Sequence, residues 1–295
     1  MPDRRLLTGA GFALLSSVSF SALSISAVLT FREGTNPLAA VIVRFPGAII
    51  VLAAIVLISR VSIRLPRRET LICLTLGAIL GAQSYTLYKS FELIPVALTM
   101  VVFYIYPILV GIAAGVTGQE RLSRALAVAL VVAFSGLVLV FNVSGAGLTV
   151  EGAAYAAAAA VFWAALTLLS VHAMRECDPR AVSLNMQVTA ASIFVVIGLV
   201  SDDVALPGTL FGWAALLAMP CFYAVAITAF FASVALLGSV RTSLFMNVEP
   251  ISTITLGFVV LGQALTPLQL VGAALVIGAI VALKWDSGRR VAANG

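Results

Sequence analysis

Charged side chains are scarce in this chain: Asp, Glu, Lys and Arg make up 10% of its 295 residues, against about a quarter in an ordinary soluble domain. With 62% apolar residues and a mean hydropathy of +1.14, the chain has too little polar surface to cover a water-soluble globule. One histidine and three cysteines leave little for a His/Cys metal spacing or a disulfide framework, and neither is expected. The sequence also lacks H-E-x-x-H, G-x-S-x-G and P-loop motifs, and its adjacent aspartates, Asp202 and Asp203, have no second acidic cluster. An enzyme is therefore not expected, and no cofactor or metal is implied. No polar stretch is long enough to form a soluble domain, and the alternating pattern of a membrane β-barrel is missing.

Long apolar runs fill the chain instead. A hydrocarbon core of roughly 30 Å needs about 20 such residues per helix. Ten runs are read, near 6–30, 38–59, 70–90, 95–116, 124–141, 151–172, 182–200, 209–236, 240–262 and 267–285. The first follows Arg4 and Arg5 but is too long for the apolar core of a signal peptide, so it is read as a membrane helix. The expectation is an all-α integral membrane protein with the lipid bilayer as its surroundings.

The pI of 9.4 does not point to nucleic acid, because the basic residues are scattered among short loops and form no patch with interleaved aromatics. If the helices alternate, all of the 17 basic residues except Arg32, Arg44 and Lys89 fall on one side. The positive-inside rule then places both termini in the cytoplasm.

Sliding the chain on itself by 143 positions aligns Gly9 with Gly152, Phe20 with Trp163, Pro107 with Pro250, Glu120 with Gln263 and Ser123 with Thr266. Two halves, 1–143 and 144–295, each hold five helices, and an odd number puts the second half into the membrane upside down. Inverted repeats of this kind are common in secondary transporters, with a site near the midplane among interrupted helices.

The fourth helix carries "YIYPILVGIAAGVTGQERLS" and the ninth "NVEPISTITLGFVVLGQALTPLQLVGAALVIGAIVAL". With the five-plus-five layout, these resemble the EamA-type members of the drug/metabolite transporter superfamily over nearly the whole chain. The resemblance implies a ten-helix exporter, and the layout is most similar to exporters of aromatic and other bulky amino acids. Gln263 departs from the family pattern, which often has an acidic residue there.

The candidate site residues come from depth and polarity. Trp163 falls near the midplane, where its indole N–H finds no lipid partner, so it either packs between helices or lines a cavity. Trp213 and Trp285, at helix ends, read as interfacial anchors. Tyr104 and its repeat partner Asn247 each precede a proline by three residues. Pro107 and Pro250 remove the helical partner of the carbonyls at Phe103 and Met246, which makes them kinks or hinges with freed acceptors. Tyr85, Gln83 and Ser84 in the third helix, Tyr106 in the fourth and Tyr223 in the eighth add hydroxyls and amides.

Together these residues describe an aromatic, mildly polar cavity with little fixed charge. Such a cavity suits zwitterions with apolar side chains better than strongly charged metabolites. Arg44 is read either as snorkelling outward or as forming an internal ion pair. Lys89 and His172 read as interfacial residues. Gly77-x-x-x-Gly81 and Gly111-x-x-x-Gly115 read as close helix contacts.

Glu249, deep in the ninth helix, has three open readings: proton coupling, contact with a substrate ammonium, or a structural hydrogen-bond partner. The functional expectation is an inner-membrane secondary transporter. It would export small amphipathic metabolites, foremost aromatic and other hydrophobic amino acids, by alternating access. Export of cationic drugs or nucleotide-type metabolites, and a non-transporting scaffold, are the alternatives. A homodimer is compatible with the sequence but not indicated by it.

Overall fold

The computed structural model describes residues 2–120, 123–142, 147–201, 203–262 and 264–293, with side chains from 4 onward except 175, 176 and 283–293. Arg121, Leu122, Asp202 and Gln263, and the side chains of Arg175, Lys284, Trp285, Arg289 and Arg290, lie outside the described residues.

Among the described residues the chain is all helical, with no strand. The helices are α1 (Pro2–Arg32), α2 (Pro37–Ile58), α3 (Arg67–Leu93), α4 (Val96–Phe103), α5 (Tyr106–Val116), α6 (Arg124–Phe141), α7 (Val150–Glu176), α8 (Pro179–Val200), α9 (Leu210–Leu237), α10 (Ser239–Phe245), α11 (Val248–Leu261) and α12 (Pro267–Ala293). They make ten membrane spans, because α4 and α5 together form the fourth and α10 and α11 the ninth. Nine of the spans are long and apolar enough to cross a bilayer within the described residues, and the tenth contributes an apolar stretch at 267–282.

Short polar caps set the helix starts. Asn36, Ser123, Thr149, Asp178 and Thr209 each accept a hydrogen bond from a backbone N–H in the first turn of the helix that follows. These bonds satisfy donors that would otherwise be left unpaired near the membrane surface. The outer faces are bare hydrocarbon: Ile50, Leu57, Val116, Leu199 and Leu210 are all more than 70% exposed. A soluble protein does not leave such residues in water.

Packing follows an interchange of the two halves. α1 packs mainly on α9 and α11, while its counterpart α7 packs on α3, α4 and α5. α2 and α8 pack on one another, each also meets the third helix of the opposite half, and α6 pairs with α12. Hydrogen bonds repeat at the same spacing. The Ser90 and Thr99 hydroxyls are 2.8 Å apart, and 143 positions later those of Ser233 and Thr242 are 3.1 Å apart. Ser24 donates to the Phe20 carbonyl as Thr167 donates to that of Trp163. The molecule is two inverted five-helix repeats folded around each other.

Glycines set the closest crossings. A Cβ on Gly77 would sit 2.6 Å from the Met186 carbonyl oxygen, and one on Gly47 2.5 Å from Cγ of Pro220. At the α6–α12 crossing, a Cβ on Gly136 would lie 2.7 Å from the Gly272 carbonyl oxygen, and one on Gly272 2.5 Å from that of Gly136. Backbone faces backbone there, so no flexible side chain can yield. Gly136→Leu is expected to destabilise the protein by about 1–3 kcal/mol, the usual range for overpacking. The check is a lowered thermal midpoint in detergent; an unchanged midpoint would contradict the crossing.

Candidate substrate site at the broken helices

The fourth and ninth spans break just ahead of their prolines. α4 stops at Phe103 and α5 resumes at Tyr106; α10 stops at Phe245 and α11 resumes at Val248. Proline supplies no N–H and its ring crowds the preceding turn, so the helix cannot run through unchanged. The two breaks fall at equivalent places in the halves, and α5 and α10 pack against each other beside them.

The carbonyl expected to be free at Met246 is not free, because the Glu249 N–H turns back onto it at 2.9 Å. Asn247, buried at the break, spends its amide N–H groups on the Leu244 carbonyl at 3.0 Å and the Ser243 carbonyl at 3.4 Å. The kink is thus satisfied locally, as backbone in a membrane interior must be. α1 adds support, with Ser21 Oγ donating to the Glu249 carbonyl at 2.8 Å and bonded in turn to Thr253.

Around the breaks lies one connected set of aromatic rings. Phe103 touches Tyr104, Tyr106 and Trp163, with centroids 5.3 to 6.3 Å apart. Trp163 also meets Tyr106 edge-on and packs on Phe230. Phe20 of α1 bridges Trp163 to Tyr223. All the rings but Phe20 are buried.

Glu249 faces the Tyr104 and Tyr106 phenols from the other broken span. The Tyr104 hydroxyl lies beside the Glu249 carboxyl yet closes no hydrogen bond of ordinary geometry and has no other partner. Glu249 as a residue is partly buried, at the start of α11.

The structure therefore gathers Trp163, Tyr104, Tyr106, Asn247, Glu249, Pro107 and Pro250, with Tyr223 joined through Phe20. Gln83 is buried on α3 and accepts from Ser84 at 3.3 Å. Tyr85 is not brought in. It is 47% exposed, on the same α3 stripe as Leu71, Leu74 and Ala78, because one residue beyond Ser84 rotates it by about 100° onto the lipid face. Trp213 is partly exposed at the start of α9, Lys89 pairs with Glu92 at the surface, and His172 is exposed.

Arg44 corrects both sequence readings. It neither snorkels outward nor finds a carboxylate: it is 7% exposed, and the ion pairs among the described residues are Lys89–Glu92 and Arg180–Asp178. Its guanidinium carbon sits 4.4 Å from the Tyr223 ring centre, 4.7 Å from that of Phe45 and 5.6 Å from that of Tyr88. Long hydrogen bonds reach Ser84 Oγ at 3.3 Å and the Tyr88 hydroxyl at 3.4 Å. A charge at such depth costs at least about 2.5 kcal/mol, which contacts with aromatic faces, worth roughly 0.5–2 kcal/mol each, offset in part. No residue spacing in the sequence signals this cage, because its rings come from three different helices.

Sequence reasoning also passed over the role of Glu120. Its Oε1 accepts from the Ser239 N–H at 2.6 Å, the Ser239 hydroxyl at 2.8 Å and the Val240 N–H at 3.2 Å. The end of the fourth span thereby caps the start of the ninth and latches one end of the bundle. A charge-assisted set of this kind contributes about 1.5–3 kcal/mol. Glu120→Ala is expected to lower the thermal midpoint and to raise alkylation of a cysteine placed at Val240, which is buried beside the latch. Unchanged alkylation would contradict the latch.

Two inverted bundles of membrane spans, with paired broken helices meeting at a buried aromatic cluster, have the form of a secondary transporter. The chain belongs to the EamA-like transporter family, whose pattern matches residues 7–142 and again residues 150–285. It is a multi-pass membrane transporter of small molecules and not an enzyme. Among curated proteins it is similar to the threonine/homoserine exporter RhtA of Escherichia coli K12, with 28% identity over 232 residues covering 76% of this chain and 73% of that one. The same exporter of Escherichia coli O157:H7 matches at the same identity and coverage. A solved crystal structure shares the fold over 95% of this chain and 98% of its own, with a TM-score of 0.81 at 18% identity.

Proposed function

We propose that this transporter exports amino acids with apolar or aromatic side chains from the cytoplasm across the inner membrane. Both termini are cytoplasmic in this reading, and the halves 1–143 and 144–295 rock about the broken spans. The observation that carries the substrate assignment is the aromatic wall of Phe103, Tyr104, Tyr106, Trp163 and Phe230. It is deeply placed and weakly charged. Such a wall offers large apolar area and ring faces to a side chain, while its phenols and indole supply a few hydrogen bonds. The similarity to threonine/homoserine exporters supports amino acids as the substrate class.

The test is counterflow of labelled amino acids in proteoliposomes, with and without a proton gradient. Phenylalanine is expected to exchange, and Trp163→Ala to weaken its apparent affinity by about tenfold, in line with the loss of about 1.5 kcal/mol of aromatic contact. Inactivity toward every amino acid tested would sink the assignment.

Glu249 gives a second reading its footing, since a carboxylate on the aromatic wall is also what a hydrophobic cation would seek. Under the amino-acid reading Glu249→Gln spares zwitterion binding. Under the cation reading the same change abolishes binding of cations.

A further inference from the structure

We propose that Arg44 is the residue that recognises the substrate's carboxylate, with Gln187 receiving the neighbouring ammonium, on either side of Tyr223. The assignment rests on the amino-acid reading above and names where in the bundle the charged end of that substrate is held.

Arg44 and Gln187 occupy equivalent positions, 143 residues apart, in α2 and α8. Each is roughly 10–12 Å from the start of its helix at 1.5 Å per residue. The two helices enter from opposite membrane faces, so the side chains meet near the middle of the bundle. Both converge on Tyr223. The Arg44 guanidinium lies over its ring, and Gln187 Nε2 donates to its hydroxyl at 3.2 Å.

Each side chain keeps one buried atom without a partner, Nε of Arg44 and Oε1 of Gln187. One is a cationic donor and the other a neutral acceptor. A donor and an acceptor left open around one tyrosine are what an α-amino acid's carboxylate and ammonium would fill. The large majority of buried polar groups in native proteins are satisfied, and among the described side chains the other exceptions are the Tyr104, Thr189 and Thr228 hydroxyls.

The charge balance points the same way. Arg44 is a buried cation whose protein contacts are rings and two hydroxyls, none of which neutralises it. A guanidinium fork matches a carboxylate in shape as well as charge. Tyr223 packs on Phe20, and Phe20 on Trp163, so the rings next to a ligand clamped at Arg44 are Tyr223 and Phe20, which join it to the aromatic wall.

The test uses the purified full-length chain and ligand-induced thermal stabilisation. Phenylalanine is compared with its methyl ester, which lacks the carboxylate, and with 3-phenylpropionate, which lacks the ammonium; the corresponding threonine series runs beside it. The wild type is expected to bind the amino acid and the acid and to reject the ester. Arg44→Gln should weaken both carboxylate ligands by about 30-fold or more, the effect of truncating one partner of a buried charge pair, and Arg44→Lys should restore part of that loss. Gln187→Leu should weaken the amino acid and spare the acid.

The wild-type arm decides even if Arg44→Gln fails to fold, because an ester that binds as tightly as its amino acid overturns the proposal. A folded Arg44→Gln variant that keeps the wild-type preference overturns it too. Binding of the acid without the amino acid would retain Arg44 and discard the amino-acid reading. Stabilisation by none of these ligands would discard both.

Discussion

The missing N–H at two prolines, each placed halfway along a membrane span, is the constraint on which the rest of this structure depends. In lipid every backbone donor and acceptor must be satisfied within the protein, so a break at Pro107 and Pro250 can exist only where other groups close it. The Glu249 N–H, the Asn247 amide and the Ser21 hydroxyl do so in the ninth span. Those partners come from α1 and from the break itself, and the breaks are buried among α1, α7 and α9 while most of α11 beyond Pro250 faces outward. The repeat then supplies the matching break in the opposite orientation, and aromatic side chains from both halves fill the space between.

Once the breaks are enclosed, the polar interior is small and specific. Ionisable side chains drawn into the described bundle include Glu249 opposite two phenols, Arg44 within three rings, Glu69 near the start of α3, and Glu120 on the first backbone donors of α10. Glu120 holds one end of the fourth and ninth spans together. Its repeat counterpart is the uncharged Gln263, so the two ends of the transporter are not chemically equivalent even though the folds of the halves are. A transporter that moves substrate in one direction has a use for such an inequality. In the proposed alternating-access mechanism, the symmetric scaffold would supply the two states and the unsymmetric latch would set their relative stability.

Much of this was legible in the chain. Ten apolar runs, the 143-residue register and the paired prolines led to the fold, because hydrophobic length and proline chemistry act locally. Trp163 and Tyr104 stood out because an amphipathic ring far from either interface lacks a lipid partner. Tyr85 was misplaced because its neighbours Gln83 and Ser84 do face inward, and depth alone does not fix a helical face. Arg44 was misread for a different reason. Its surroundings, Tyr223, Tyr88, Ser84 and Phe45, are assembled from α9, α3 and α2, and no pattern along the sequence brings those elements together. Met246 shows the converse error, in which a carbonyl freed by proline was recaptured by a turn the periodicity does not encode.

The central claim is that the fourth and ninth spans hinge at their breaks and open the two ends of the bundle in alternation. The most direct measurement is a pair of electron-spin distances in the reconstituted protein. One pair, Gln119 and Arg241, spans the latched end and the other, Val96 and Val260, the opposite end, each recorded with and without a saturating transported amino acid. The account requires the two distances to shift in opposite directions on adding substrate, with Glu120→Ala moving the resting population toward a wider Gln119–Arg241 separation. Distances that stay fixed, or that widen and narrow together, would contradict it.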